Sequence, residues 1–367
     1  MQWLPNEKYG NGSDGALSIS ENTTESPIDS SCSGAVDGKS LSATNASFVA
    51  GQIILIHQSR GTGAGQWELN VIDSYTAGTI TTKYNLAYTY TDSGSSQAQV
   101  RVLKQYSSVT VDDAYTYASK AWDRNVGGIL AFMCNGTTTI TGTVNVKLRG
   151  YRAGQRETND LEPTCGEGTV GDRVEQKTTA NGSGGGSGTH DSDDNVGGGG
   201  GNATAGGTGS GSGGTAGTEA GAADLTNMVF GGGAGGNSDA VGELLPGIAY
   251  TAPGLVAIFS KEIVITGVID GDGSNGATQT GTGGSGSAGG SILIKSNIAT
   301  LGTNLVHAIA GTGSAGTGGK ANGAVGSVGR IALHYGTSYT GTTTPAADIT
   351  QDSNLIDVSP LPTFHNP

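Results

Sequence analysis

Short apolar runs recur in the later part of the chain, and each repeating unit begins and ends at a glycine. In the full units, a short apolar strand is followed by a polar break and a second strand with alternating apolar and polar positions. Alternation with a period of two is typical of a β-strand with one buried face. A unit of about 20–25 residues that returns three or four times predicts stacked β-coils rather than one closed domain. The units are residues 128–150, 254–273, 289–311 and, in truncated form, 329–336.

A different strand pattern precedes the repeats, from about residue 48 to residue 103. Its strands include AGQIILIHQ, GQWELNVID, GTITTKYNLAYTY and QAQVRVLKQY, and the breaks between them are RGTGAG, SYTAG and TDSGSS. Four or five short strands separated by such turns predict a small β-barrel or sandwich.

Glycine-rich tracts separate the apolar strands, and glycine accounts for 67 of the 367 residues. One interpretation is a flexible linker, which is what Gly/Ser composition usually means. The other is an ordered lattice of extended glycine chains whose backbones hydrogen-bond to one another because no side chains keep them apart. The tracts alternate with apolar strands instead of joining two complete domains, so stacking of the strands would fix both ends of each internal tract. We therefore expect the tracts to be ordered.

The predicted fold is all-β, with a small N-terminal β-barrel or sandwich followed by β-solenoid-like coils packed with glycine-rich, polyglycine II-like tracts. Helix is expected to be nearly absent. The predicted parts are an N-terminal arm (1–20), the barrel or sandwich module (21–108), a first β-coil (109–155), a polar excursion with glycine-rich tracts (156–253), further β-coils with glycine-rich tracts (254–341) and a C-terminal cap or tail (342–367).

Charge and cysteine content narrow the classes of function. The formal net charge is −13 and no basic run is present, so we expect no binding to nucleic acid or to acidic lipid surfaces. No segment approaches 18 consecutive apolar residues, which predicts no membrane insertion. The cysteines Cys32, Cys134 and Cys165 form no C-x-x-C pair; a buried thiol is expected at Cys134, and a Cys32–Cys165 disulfide remains open.

Catalytic motifs are weak in this chain. Gly271, Gly273 and Gly276 match G-x-G-x-x-G, but no apolar-periodic helix follows, so no nucleotide site is predicted. No G-x-S-x-G motif is present, and the five histidines are scattered without an H-x-x-x-H pair. The acids in the repeat strands are few, namely Glu262, Asp270 and Asp272. We predict no catalytic residues, no metal, no cofactor and no enzymatic activity.

One segment partly matches a calcium-binding loop. Asp270, Asp272, Ser274 and Asn275 supply oxygen atoms at close spacing, but the twelfth position of the loop is Gly281 where a glutamate is needed. We expect a solvated turn at this position.

Six strings occur in a fixed order across most of residues 10–340, namely GNGSDGALSI, GQIILIHQSRGTGAGQWE, AQVRV, AWD, GGILAF and GRIALHY. They resemble a module of large glycine-rich surface proteins of bacteria and their phages, and LIHQSRGTGAG is fairly specific. This resemblance implies a surface β-structure. In composition, the glycine tracts are similar to the tail-fibre tip adhesins of T-even phages, in which a polyglycine lattice carries loops that bind outer-membrane receptors. The second resemblance is compositional, so it assigns no receptor-binding loop in this chain.

The leading hypothesis is a phage virion adhesin, a tail-fibre or tail-tip protein that contacts the host through loops on a rigid scaffold. The predicted receptor-binding residues are His190, Asp193, Asp194, Phe230 and Tyr250. Phe230 and Tyr250 are rare large rings between glycine tracts, and aromatic anchors dominate binding energetics. Burial against a neighbouring strand is the alternative for both rings, and a solvated loop is the alternative for the acidic cluster.

The expected partners are a host surface receptor, either an outer-membrane protein or a glycan, and other virion or filament subunits. The chain is expected to form a homo-oligomer or to dock on an oligomeric fibre, at the virion surface or outside the cell. Its first residues lack the basic and apolar regions of a signal peptide, which is consistent with release by lysis or with a processed chain. The alternatives are a structural subunit of a filament, capsid fibre or capsid decoration, and a polysaccharide depolymerase with a carboxylate pair in a groove.

Overall fold

A computed structural model of the chain describes residues 8–155, 162–189, 195–237, 251–277 and 282–356. Within these ranges the regular structure is all β-strand apart from one 3-10 turn, and there is no α-helix, which confirms the all-β part of the predicted fold. The strands in chain order are β1 (Ala16–Ile19), β2 (Thr23–Thr24), β3 (Asp29–Ser31), β4 (Ser40–Ser42), β5 (Ile53–Arg60), β6 (Trp67–Thr76), β7 (Thr79–Thr82), β8 (Gln97–Val102), β9 (Lys104–Tyr106), β10 (Ser108–Val111), β11 (Thr116–Ala118), β12 (Ile129–Ile140), β13 (Thr143–Asn145), β14 (Leu255–Ile265), β15 (Val268–Asp270), β16 (Ser291–His307), β17 (Arg330–Thr344) and β18 (Asp348–Gln351). The 3-10 turn is Ser353–Leu355.

Twelve of these strands form one parallel, nearly closed sheet. Successive coils pair in parallel register, from β1 and β2, through β10 and β11, β12 and β13, and β14 and β15, to β16 and β17. The long strand β16 pairs with β14 through its first half and with β15 near its end, so the sheet turns back on itself. Strand β18 pairs with the first half of β17 and covers the last coil. This arrangement confirms the solenoid-like stacking expected from the repeats.

The interior of the sheet is built from ladders of equivalent side chains. Phe132, Ile258, Ile294 and Leu333 lie in register on four adjacent strands and are almost completely buried. Full burial of one such side chain contributes about 1.5–3 kcal/mol to the stability of the fold, so the equivalent side chain of each repeat adds a similar amount. The opposite wall adds, among others, Val144, Ile269 and Val306 to the same cluster.

The N-terminal module is a six-stranded, curled antiparallel sheet in the order β3-β8-β5-β6-β7-β4. Strand β5 is buried on both faces, because Ile54 and Ile56 face the module's own core while Ile53 and Leu55 face the parallel sheet. Trp67 of β6 also packs against the parallel sheet. These residues share one hydrophobic cluster with residues of the coils and of the glycine-rich region, so the module and the coils are packed together.

The path of the chain differs from the predicted boundary at residue 20. Strand β1 pairs with β10 of the parallel sheet, so the chain starts in the stack, leaves it for the antiparallel sheet and returns at β9. Tyr9 is buried, and its hydroxyl donates to the carbonyl oxygen of Leu355. Lys8 Nζ donates to the carbonyl oxygen of Ile356 at 2.8 Å. The described part of the predicted arm is therefore part of the stack and is bonded to the segment that follows β18.

The three cysteines are buried free thiols. The disulfide between Cys32 and Cys165 that the sequence left open is not formed. Cys32 lies in the core of the antiparallel sheet, and Cys134 lies in the core of the parallel sheet, as its apolar neighbours indicated.

The described glycine segments bond to one another through their backbones. A strand within a sheet has a neighbour on each side, but the segment 196–201 bonds to four other glycine-rich segments and therefore in more than one plane. The bonds are Gly198 N to Gly186 O at 2.9 Å, Gly235 N to Gly198 O at 2.8 Å, Gly199 N to Gly207 O at 2.8 Å and Gly200 N to Gly286 O at 3.1 Å.

Candidate functional site

The predicted receptor-binding residues have two different outcomes. His190, Asp193, Asp194 and Tyr250 lie outside the described residues. The side chain of Phe230 has no exposed surface and packs edge-on against Trp122 and Tyr151, with ring centroids 5.4 and 5.1 Å apart. Phe230 therefore belongs to the core, as its alternative interpretation stated, and its ring is not available to a receptor.

The described residues just before the two predicted loops lie close together. Gly188, just before residues 190–194, donates its N–H to Gly236 O at 2.9 Å. The next residue, Asn237, accepts from Gly197 N at 2.9 Å and donates through Nδ2 to Gly283 O at 2.8 Å. These contacts join the residues around 188, 197, 237 and 283 at one end of the glycine segments. We call this region the glycine-lattice end.

Two described turns also lie at the glycine-lattice end. Ser314 Oγ accepts from Gly284 N at 2.8 Å, and residues 315–322 beyond it are largely exposed. Ser212, in the exposed turn 210–212, donates its N–H to Asn195 Oδ1 at 2.7 Å. Several turns thus leave the same end of a backbone-bonded base, and turns held on such a base are a common place for binding residues.

The string LIHQSRGTGAG forms the end of β5 and the turn that follows it, and the side chains of its strand part, 55–60, are buried. His57 is fully buried, with Nδ1 2.8 Å from Ser59 Oγ and Nε2 2.9 Å from the carbonyl oxygen of Met228. Burial lowers the pKa of His57 to about 4. Gly61 donates its N–H to Thr169 O at 2.8 Å. The string therefore docks the antiparallel sheet onto the glycine-rich region.

A buried ion-pair network reinforces this junction. The carboxylate of Glu167 is fully buried and pairs with Arg60 of β5 and with Arg152 Nε, the latter at 2.9 Å. It also accepts from Trp122 Nε1 at 3.0 Å. Several donors satisfy the carboxylate, as a buried charge requires. Arg60, the arginine of LIHQSRGTGAG, therefore has a structural role in this junction, and no role in receptor binding is needed to explain it.

The antiparallel sheet carries an open pocket of about 380 Å³. Ala87 of this pocket donates its N–H to a carboxylate oxygen of Glu68 at 2.6 Å, and Glu68 is 8% exposed. Its other oxygen has no hydrogen-bond partner among the described residues, and burial raises the pKa of Glu68 to about 7. The pocket is lined by Val36, Thr62, Gly63, Gln66, Ala87, Tyr88, Thr89 and Thr91.

A third place brings together residues that the sequence had treated separately. His307 Nδ1 lies 2.8 Å from Asp272 Oδ1 and 3.8 Å from Asp270 Oδ1. The hydrogen bond to Asp272 raises the pKa of the His307 imidazole. Burial by itself would raise the pKa of Asp272, but the hydrogen bonds that it accepts from His307 and from the Ile309 N–H outweigh burial and lower this pKa. These three groups lie close enough to hold a metal ion. The signal in the sequence was the alignment of the repeats GVIDGDG and NLVHAIAG, which places Asp270 opposite His307.

The calcium-loop match is not reproduced in the geometry. Ser274 is buried and donates through Oγ to the carbonyl oxygen of Thr251 at 2.6 Å. Asn275 Oδ1 accepts from Thr312 N at 2.9 Å. Both side chains bond to neighbouring segments instead of converging with Asp270 and Asp272 on a common centre.

Comparisons with known proteins give little further information. No protein-family model matches the chain, and no curated protein sequence matches it. Among solved structures, a tailspike of Acinetobacter baumannii bacteriophage AP22, in complex with A. baumannii capsular saccharide, is similar at 9% sequence identity with a TM-score of 0.22. The alignment covers 92% of this chain and 62% of the tailspike, so the chain spans less than two thirds of that protein's length. So loose a superposition establishes neither a shared fold nor a shared function. In the described ranges, no helix is long and apolar enough to cross a membrane.

Proposed function

We propose that this chain is a phage virion adhesin, a tail-fibre or tail-tip protein that binds a host surface receptor through the loops at the glycine-lattice end. The observation that carries the proposal is the meeting of three glycine-rich segments at Asn237, whose side chain bonds to Gly197 and to Gly283. The segments that carry His190, Asp193 and Asp194 on one side and Tyr250 on the other both begin beside this residue. The described residues at the start of the two segments thus lie close together, which supports a shared receptor-binding surface at this end.

The proposal includes a polyglycine II-like lattice as the base of these loops. Chains of this kind have three residues per turn and no internal hydrogen bonds, so their N–H and C=O groups are available to bond to neighbouring chains. The bonds of segment 196–201 to segments on several sides support this arrangement. Such a base loses little further entropy when its loops bind, which favours affinity.

The receptor is a glycan or an outer-membrane protein on a bacterial surface. The test uses the labelled full chain and a panel of bacterial strains, with bound fluorescence measured by flow cytometry. A triple variant, His190→Ala, Asp193→Ala and Asp194→Ala, and the single variant Tyr250→Ala probe the loops. The matched control is Lys39→Ala, which also removes a charged side chain but lies in the antiparallel sheet module.

The proposal predicts saturable binding to at least one strain, with a loss of about tenfold or more in the loop variants and none in Lys39→Ala. Circular dichroism checks that each variant keeps the β-fold. Binding that is unchanged in every loop variant would contradict the assignment of the loops. A chain that binds no strain would contradict the adhesin itself.

A structural subunit is the second candidate, and the ends of the stack favour it. Among the described strands, β1 has a single paired neighbour, β10, and so does β18, which pairs with β17. Unpaired strand edges are templates for pairing with another chain. Light scattering distinguishes the two functions, because open-ended polymers indicate a filament subunit, whereas a discrete small species that binds cells indicates the adhesin. The depolymerase alternative would require cleavage of a host polysaccharide by the same preparation.

A further inference from the structure

The ladder register of the parallel sheet creates a cluster of metal-ligating side chains where two coils end. Asp270 is the last residue of β15 and His307 is the last residue of β16, and the two are partners in the parallel ladder. In-register residues of neighbouring strands lie about 4.8 Å apart, so the fold itself places a carboxylate beside an imidazole. Asp272 follows two residues after Asp270 and joins the same group. One ligand atom from each of the three residues lies within 4.8 Å of the other two.

The two carboxylates retain free coordination capacity. Asp272 Oδ1 accepts from His307 Nδ1 at 2.8 Å and from Ile309 N at 2.7 Å, while Asp270 Oδ1 accepts from Asp272 N at 2.9 Å. The Oδ2 atoms of both aspartates have no hydrogen-bond partner among the described residues. The three side chains are 18–20% exposed, so an ion and its water ligands can reach them. The backbone bonds to the Oδ1 atoms hold the carboxylates in place before an ion arrives.

The donor set indicates the class of ion. Calcium takes six to eight oxygen ligands and magnesium keeps most of its water, so neither makes specific use of an imidazole. Nitrogen and carboxylate ligands together suit zinc and other first-row divalent metals. Two carboxylates offset the charge of a divalent cation, whereas Lys147 is close enough to act electrostatically on both His307 and Asp272 and opposes binding.

We propose that His307, Asp270 and Asp272 bind a divalent first-row metal, with zinc the best match, through His307 Nδ1 and one oxygen of each carboxylate. Water completes the coordination. Binding replaces the hydrogen bond between His307 and Asp272: a protonated imidazole loses its Nδ1 proton to solvent, whereas a neutral one carries its single proton on Nε2, so that Nδ1 offers its lone pair to the metal. The ion then links β15 to β16 where the coils continue into glycine segments. This site is independent of the proposed receptor-binding loops.

The test is isothermal titration of the EDTA-treated full chain with zinc chloride. His307→Ala removes the nitrogen ligand, and Asp270→Asn removes one charge while keeping the side-chain size. His334→Ala is the matched control, because His334 also lies in a strand of the parallel sheet but bonds to the carbonyl oxygen of Asp224 instead of facing two carboxylates. A thermal melt with and without zinc gives a second readout, because an ion that binds the folded state raises the melting temperature.

We expect saturable binding of one zinc ion per chain, a zinc-dependent rise in melting temperature, and retention of both in His334→Ala. Loss of even an outer-shell partner of a metal costs about 10–100-fold in affinity, so His307→Ala is expected to lose at least that much. If His307→Ala does not fold, Asp270→Asn is the variant in which we expect the same loss of zinc affinity. The proposal is overturned if the wild-type chain shows no saturable zinc binding, or if the ligand variants bind zinc as the wild type does.

Discussion

Replacement of Gly200 by alanine tests whether the glycine segments are packed as the structure describes. A Cβ atom at this position would lie 2.6 Å from the carbonyl carbon of Gly232 and 2.8 Å from the amide nitrogen of Ala288. Real Cβ atoms essentially never approach other atoms within 3.0 Å. Both obstacles are backbone atoms, and they belong to two different segments. Neither can rotate away, so at least one segment must move.

The expected loss in the free energy of unfolding has two sources, namely overpacking and the weakening of hydrogen bonds when a segment moves. Gly200 N donates to Gly286 O at 3.1 Å, and Gly200 O accepts from Ser327 N at 2.9 Å. Overpacking a filled interior costs about 1–3 kcal/mol, and each weakened bond adds up to about 1 kcal/mol. Gly200→Ala is therefore expected to lower the free energy of unfolding by about 3 kcal/mol.

The assay is equilibrium unfolding in urea, followed by circular dichroism, with Gly171→Ala as the matched control. Neither glycine has a left-handed backbone, but the nearest atom to a Cβ at Gly171 is Ser95 Cβ at 3.6 Å, an ordinary contact. Gly171→Ala is expected to change stability by no more than about 1 kcal/mol. Equal stability of the two variants would refute the packed lattice and favour the flexible-linker interpretation.

Three further predictions concern the junctions of the fold. Stability is expected to fall by about 3 kcal/mol as the pH drops from about 6.5 to 4, because the unfolded state protonates His57 first, and urea unfolding in His57→Gln should show a weaker pH dependence. Glu167→Gln leaves the buried Arg60 and the partly buried Arg152 without their shared buried counter-charge and is expected to cost about 3–5 kcal/mol in a urea melt. The more exposed Asp172→Asn serves as its control and should cost less. Tyr9→Ala should cost about 3–5 kcal/mol by the same assay, whereas Tyr9→Phe loses one hydrogen bond and about 1 kcal/mol.

Each of these predictions has a contradicting result. A stability that stays constant from pH 6.5 to pH 4 would contradict the burial of a neutral His57. Equal losses in Glu167→Gln and Asp172→Asn would contradict the central position of Glu167 in the ion network. A Tyr9→Ala chain as stable as the wild type would contradict the integration of the N-terminal segment into the stack.

The stacked coils were predictable because the repeats carry their own register. Alternating apolar residues mark the buried face, and aligned repeats place Phe132 opposite Ile258 and Ile294, as the ladders have them. Strand β1 was not predictable, because it has four residues and its partner β10 begins at Ser108, far along the chain. A short strand is too weak a signal when a distant partner decides its pairing.

The site was less predictable than the fold, since the roles of its residues depend on contacts between distant segments. Arg60 is the last residue of β5 and is buried because Glu167, in the polar excursion, supplies its counter-charge. Phe230 resembled a surface anchor because its own segment is rich in glycine, but the ring fills a space between Trp122 and Tyr151. His307 gains its neighbours only through the register of β15 and β16.

Hydrogen exchange of the glycine segments, measured by mass spectrometry, tests most directly the claim that a rigid glycine lattice supports the loops. Peptides that cover residues 196–201 and 231–236 report on segments that are bonded on several sides. A packed lattice predicts that these amides exchange at least about 100-fold more slowly than the same peptides in the unfolded chain, as for other core segments. Exchange at the unfolded rate, while the strands β12, β14 and β16 stay protected, would show that the glycine segments are linkers and would contradict the account.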